Sequence, residues 1–377
     1  MRMMVMRYLS LSFSVSAFAG LVFFHAILLF FTIIQVQQLE IQPTGIPRHF
    51  LSRICTVKTL VKTELVLNKY CIALALVLSP CSSNRQQDGL RPGFSRNIWP
   101  IRILSPPPYH HPCPNGINDQ LVQAIKTAIK VGYIHLDSAR VYANEKSLGQ
   151  AIAESGIDRK KLFVTTKIMT EMSSIRETLK DQLNDLKLDH VDLYLIHSSA
   201  FASQPNQPSL SETWKEMEKI RQDGLAKSIG VSNYRISDLQ EILKTAKVKP
   251  AVNQIEFHPY VWKEAEPLLN FMKKEGILLE AYGAQVPVVK YPGGKVDPIL
   301  EHLASTRKIS TGDILLKWAK AHGGVVVTTS SKEFRMKANL QSVLDDEDDL
   351  NAHEVEQINK AGIENGVQRA FNKHMSE

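Results

Sequence analysis

The sequence predicts an α/β protein of the (β/α)8 type, a TIM-type barrel whose first strand is absent or atypical and which follows a non-domain leader. Three observations carry this. Beyond residue 113, strand-like segments begin near Tyr133, Leu162, Asp192, Ala226, Pro250, Leu278 and Gly324, at intervals of 29, 30, 34, 24, 28 and 46 residues. The strand segments LFVTTKI, VDLYLIHS and GVVVTTS are almost continuously apolar, as parallel strands covered by helices must be. Neither G-x-G-x-x-G nor G-x-x-x-x-G-K occurs, so the alternative of an open doubly wound sheet lacks its phosphate-binding turn.

The boundaries follow in order along the chain. Residues 1–113 read as leader and 114–377 as the barrel. Within the leader, Leu9–Val36 is an uncharged apolar run of 28 residues, too long for a signal-peptide core and long enough to span a bilayer. Basic residues are more numerous after it (Arg48, Arg53, Lys58, Lys62, Lys69) than before it, which would leave the bulk of the chain cytosolic. The leader reads equally as such an anchor or as sequence unrelated to the domain. Residues 37–113 show no sustained period and end in Pro106–Pro108. Helical patterns then cover Asp119–Lys130, Glu145–Ser155 (with Asn144 as its cap), Glu171–Leu186, Ser209–Gln222, Ile236–Thr245, Glu264–Lys274, Ser310–Ala321 and Phe334–Leu344. The first of these needs a strand before it, and only Asn97–Leu104, interrupted by Pro100, stands in that place. Gln285–Lys308 reads as a loop after the seventh strand, with Pro292-Gly293-Gly294 as a turn, that could fold over a cofactor.

The net charge of +7 belongs to the leader. Residues 1–113 hold 11 lysines and arginines against 3 acidic residues, and the remainder holds 34 against 35. A basic face for nucleic acid is therefore not expected on the folded part. All four cysteines (Cys55, Cys71, Cys81, Cys113) also lie in the leader, so the barrel needs no disulfide and suits a reducing compartment such as the cytoplasm.

Ionisable residues recur at one end of successive strands. Asp137 ends the first recognisable strand and Tyr142 follows it in the loop; Lys167 ends LFVTTK, and His197 ends DLYLIH. In a parallel barrel these ends share the catalytic face. Each residue alone reads as a turn former, a cap or a solvated group, but the four together form a set. An isolated phenol, with a pKa of about 10, is a poor acid near neutrality, and a neighbouring ammonium lowers that value. Asp137 would hold Lys167, His197 would orient a carbonyl, and Tyr142 would protonate its oxygen as hydride arrives.

The segments GYIHLDSARVYANE, TTKI, DLYLIHS, SIGVSNY, VNQIEFHPY and TTSSKEFRMKAN resemble the aldo-keto reductase family, its fungal ketoreductases in particular, from about Asn115 to the C-terminus. The resemblance implies a monomeric barrel that reduces aldehydes or ketones with NADPH. On the same grounds Ser232, Asn233 and Gln254 would bind the nicotinamide carboxamide, and Tyr282 would stack on the ring. Ser330 and Arg335 would clamp the 2′-phosphate, and Asn339 would contact adenine. Four departures from the family pattern stand out: Thr329 in place of a lysine, Ala338 in place of an acid, Ile134 in place of an arginine, and no Gly-Thr-Gly-like end to the first strand. The competing expectation is a nicotinamide-binding protein without turnover, tethered to a membrane through Leu9–Val36.

Other patterns carry less. His110, His111 and Cys113 lack a second ligand pair, so no metal is expected. Tyr142 and Lys146 match Y-x-x-x-K without the glycine-rich turn that the short-chain dehydrogenases require, and Lys146 reads as an exposed helix residue. Asp345–Asp349 lacks the glycine and spacing of a calcium loop and reads as a solvated face.

Overall fold

The computed structural model describes residues 75–76, 101–104, 116–202 and 207–376. Eight parallel strands close into a barrel: β1 Ile101–Leu104, β2 His135–Asp137, β3 Phe163–Ile168, β4 Val191–Ile196, β5 Ala226–Ser232, β6 Val252–Glu256, β7 Leu278–Tyr282 and β8 Val325–Thr328. Each pairs with the next in sequence, and β1 closes the ring on β8 through Ile101–Val326, Arg102–Val327 and Ile103–Thr328. A two-residue strand, Ala75–Leu76, lies antiparallel on β1.

The atypical first strand is thus four residues long and begins after Pro100. This strand lies within the stretch that the sequence assigns to the leader. The apolar run Leu9–Val36, the His110–Cys113 cluster and the four cysteines lie outside the described residues. Among the described residues no helix is long and apolar enough to cross a membrane, and no group of His, Cys, Asp and Glu could hold a metal.

The outer ring consists of α1 Asp119–Val131, α2 Glu145–Ser155, α3 Ile175–Leu186, α4 Leu210–Gln222, α5 Ile236–Leu243, α6 Trp262–Glu275, α7 Thr311–Ala321 and α8 Glu333–Leu344. Their ends follow local chemistry. Asn118 caps α1 by accepting from Leu121 N, and Ser209 and Ser310 form capping boxes with Glu212 and Asp313. Where α2 packs on α3, Gly149 is required: a Cβ there would lie 2.5 Å from the carbonyl oxygen of Leu186. Asn144 occupies the cap position of α2 without capping it, because its side chain instead accepts from Ser138 Oγ.

Two further expectations change. The segment read as a loop after β7 contains a short helix, Val286–Lys290, and a full one, Asp297–Arg307. Pro298 sits in the first turn of the second helix, where a missing N–H costs nothing, and Leu300, Leu303 and Ala304 bury its inner face. A terminal helix, Ala352–Asn365, has no counterpart in the sequence reading; Asn351 and Glu354 box its start. The acidic run before it is only partly solvated. Asp346 and Asp349 bond Lys320 at 2.6 and 2.8 Å, and Asp348 lies 3.2 Å from Arg307.

The terminal helix also reaches the outer core. Asn359 accepts from Trp318 Nε1 at 2.8 Å and lies 3.2 Å from His322 Nε2, while His322 packs against Trp262 with ring centroids 4.1 Å apart. Burial pushes the His322 pKa down to about 4, with the Asn359 bond opposing it. The unfolded chain protonates this ring below about pH 6.5, so the stability it contributes is whole above that pH and is lost as the pH falls toward 4. Urea midpoints measured between pH 7 and pH 4 should therefore fall less steeply in His322→Gln than in the wild type, and parallel curves would refute the assignment.

Candidate active site

Three strand ends deliver the central cluster. Asp137 is the last residue of β2, Lys167 the penultimate residue of β3, and His197 directly follows β4. Tyr142 ends a 3-10 turn, Arg140–Tyr142, in the loop after β2. The structure brings all four together. Lys167 Nζ donates to Asp137 Oδ1 and, at 2.9 Å, to the carbonyl of Ser138. The same ammonium lies 5.0 Å from the centroid of the Tyr142 ring. Tyr142 Oη is 3.3 Å from His197 Nε2, and the two rings meet edge to face.

Asp137 and Lys167 are both fully buried, so neither charge can be satisfied by water. Burial pushes the Asp137 carboxyl upward, and the Lys167 ammonium and the Gln254 amide oppose it. Burial, reinforced by the Lys167 charge, holds His197 well below the ordinary histidine range. The imidazole is therefore neutral at pH 7 and offers one N–H.

A second buried layer supports Lys167 from behind. Gln182 Nε2 lies 3.1 Å from the Lys167 carbonyl and 2.6 Å from Glu145 Oε1, and Thr166 and Tyr194 complete the network. Glu145 opens α2, three residues beyond Tyr142. The contact ties the loop carrying the phenol to the strand carrying the ammonium.

Beside this cluster lie the residues expected to meet nicotinamide. Ser232 ends β5, and Asn233 follows it in the left-handed region at φ 56°. Ser232 Oγ donates to the Gln254 carbonyl at 2.8 Å, and Asn233 Nδ2 donates to the His197 carbonyl at 3.0 Å. Gln254 Nε2 bridges Asp137 Oδ2 at 3.2 Å and Glu280 Oε2 at 2.9 Å. Tyr282 ends β7 and donates to Asn233 Oδ1 at 2.8 Å. Together with Asp137, His197 and Glu280, which they bond, these four residues form one connected hydrogen-bond network. Ser330 lies in the loop between β8 and α8, and Arg335 and Asn339 lie on α8: Ser330 Oγ accepts from Lys332 N at 3.0 Å, Asn339 donates to Thr328, and Arg335 is exposed. Lys146 is exposed and lies 3.8 Å from Asp185.

Sequence reading passes over several residues at this site. Glu280 could have been marked as a carboxylate in the middle of the apolar strand LLEAY. Asn372 and His374, which reach Tyr282 Oη and the Asn233 carbonyl at 2.7 and 3.2 Å, belong to a polar C-terminal stretch with no pattern to mark them.

Comparison with known proteins gives the family. The aldo/keto reductase family matches residues 116–285. The NAD/NADP-dependent indole-3-acetaldehyde reductase of Schizosaccharomyces pombe is 42% identical over 261 residues, 69% of this chain and 90% of that protein. The chain belongs to the aldo/keto reductase family. This aldo/keto reductase is an oxidoreductase, and its resemblance to fungal members holds. The NADPH-dependent alpha-keto amide reductase of Saccharomyces cerevisiae is 36% identical over 266 residues, 68% of this chain and 83% of its own. Among solved structures, the Bombyx mori aldo-keto reductase in complex with NADP matches with a TM-score of 0.60 at 32% identity, covering 68% of this chain and 87% of that one.

The buried Asp137–Lys167 pair makes a separable prediction about stability. Removing either charge leaves the other stranded, so Asp137→Ala or Lys167→Met should each cost about 3–5 kcal/mol in urea unfolding. The double variant should cost clearly less than the sum, and strict additivity would show the two side chains to be energetically independent.

Proposed function

We propose that this reductase converts aldehydes or ketones to alcohols, with NADPH as reductant and Tyr142 as the proton donor. The observation that supports it is the convergence of Tyr142 Oη, the Lys167 ammonium and His197 Nε2 at one barrel mouth. NADPH, when bound, supplies hydride to the carbonyl carbon.

The residues present fit that cofactor at both ends. Ser232, Asn233 and Gln254 give the mixed donors and acceptors that a carboxamide requires, and Tyr282 gives a ring at the adjacent strand end. At the other end α8, a helix of 12 residues, has no side-chain cap on its first turn. Its open amides, with Ser330 and the exposed Arg335, suit a phosphate. Arg335 favours the phosphorylated dinucleotide although Thr329 stands where the family commonly has a lysine. Asn339, which donates to Thr328 at the end of β8, would face adenine.

The chain's own chemistry then runs through four groups. Neutral His197 directs an N–H at the substrate oxygen and fixes its lone pairs toward Tyr142. Tyr142 passes its phenolic proton to that oxygen as negative charge develops there. The Lys167 ammonium stabilises the phenolate left behind, and Asp137 holds the ammonium in place without direct contact with substrate. Burial of the ion pair keeps bulk water from screening this field.

The named relatives act on an indole acetaldehyde and on alpha-keto amides, so small aldehydes and α-keto compounds form the first assay panel. Purified protein should oxidise NADPH with members of that panel. Tyr142→Phe should lower kcat by about 100-fold or more while NADPH still binds. Full activity in that variant would refute the role of Tyr142. Wild-type cofactor binding without turnover on any carbonyl would instead favour the non-catalytic nicotinamide-binding reading.

A further inference from the structure

The C-terminal stretch is bound to the barrel mouth by a carboxylate that the chemistry above does not use. Glu256 is the last residue of β6 and its side chain is fully buried. Its two oxygens accept backbone N–H bonds from Ala370 at 2.7 Å and Phe371 at 3.2 Å. His258 Nε2 lies 3.0 Å from one oxygen, and the Arg369 guanidinium lies 3.6 Å from the other. Arg369 is held in turn by Glu264 at 2.7 Å. Burial pushes the Glu256 carboxyl up, but the His258 ring, the Ala370 amide and the Arg369 charge outweigh it and hold the group below its ordinary value, hence ionised.

What this anchor delivers is the next two side chains. Phe371 meets Tyr282 ring to ring, with centroids 5.7 Å apart at 65°. Asn372 Nδ2 donates to Tyr282 Oη at 2.7 Å. Tyr282 Oη spends its own proton on Asn233 Oδ1, and Asn233 Nδ2 bonds the His197 carbonyl. A continuous run of hydrogen bonds therefore leads from the chain terminus through the expected stacking ring to the residue beside the carbonyl site.

We propose that Glu256 is a positioning residue: by anchoring the segment 369–372 it lets Phe371 and Asn372 fix the tilt of Tyr282 against the nicotinamide ring. The proposal rests on the cofactor assignment above and adds the device that sets its stacking geometry. The hydroxyl oxygen lies on the χ2 axis, so its bonds to Asn372 and Asn233 fix where that axis points, and the edge contact with Phe371 restricts rotation of the ring about it.

The test compares two ligands on the full chain: NADPH, and 2′-phospho-ADP-ribose, which shares everything except nicotinamide. Dissociation constants are read from tryptophan fluorescence for wild type, Glu256→Gln and Asn372→Ala. Asn372→Ala leaves the buried carboxylate intact and keeps the test informative should Glu256→Gln fold poorly. Loss of one such hydrogen bond should weaken NADPH by about tenfold and leave 2′-phospho-ADP-ribose unchanged. Unchanged NADPH affinity in Asn372→Ala, or equal weakening of both ligands, would overturn the proposal while the functional reading stands. A wild type that binds 2′-phospho-ADP-ribose but not NADPH, or neither, would overturn both.

Discussion

An ammonium with no access to water, held at the mouth of a parallel barrel, sets the terms for the residues around it. Lys167 could not remain charged there without Asp137, and Asp137 could not remain charged without Lys167 and Gln254. Each partner comes from a different strand, so the pair exists only once β2, β3 and β6 have assembled. The electrostatic requirement and the barrel topology are the same constraint seen from two sides. The Lys167 charge also acts on its neighbours: it adds to the burial that keeps His197 neutral, and it sits against the ring of Tyr142.

How much of this was legible in the sequence depends on whether a feature is local. The βα spacing, the strand-end positions of Asp137, Lys167 and His197, and the helices that begin at Ser209 and Ser310 follow from periodicity. The helix Asp297–Arg307 was hidden because Pro292-Gly293-Gly294 read as the turn of a loop, although the Pro298 that follows sits in a first turn, where proline is neutral. Asn144 was expected to cap, but a tertiary contact with Ser138 won its side chain. The bonds from Gln254 to Asp137 and from Asn372 to Tyr282 span 117 and 90 residues, and no short-range rule reports contacts of that kind.

Support for the site comes in layers from opposite directions. On the strand side, Glu145, Thr166, Gln182 and Tyr194 form a buried polar network in which Gln182 reaches the backbone of Lys167. On the terminal side, Glu256 and Arg369 hold the stretch that reaches Tyr282 and Asn233. Both layers use buried carboxylates engaged by donors, which costs less than leaving the groups unpaired and restricts each side chain. A catalytic constellation needs that restriction, because small errors in placement weaken proton transfer steeply.

The short β1 has a different kind of consequence. Ring closure rests on main-chain pairing by four residues that follow a proline, with neighbours Leu136 and Asp137 on one flank and Val326 to Thr328 on the other. Pairing of this kind is made by peptide groups, which are common to all residue types. The register of that one extended tetrapeptide is therefore what decides whether the ring closes.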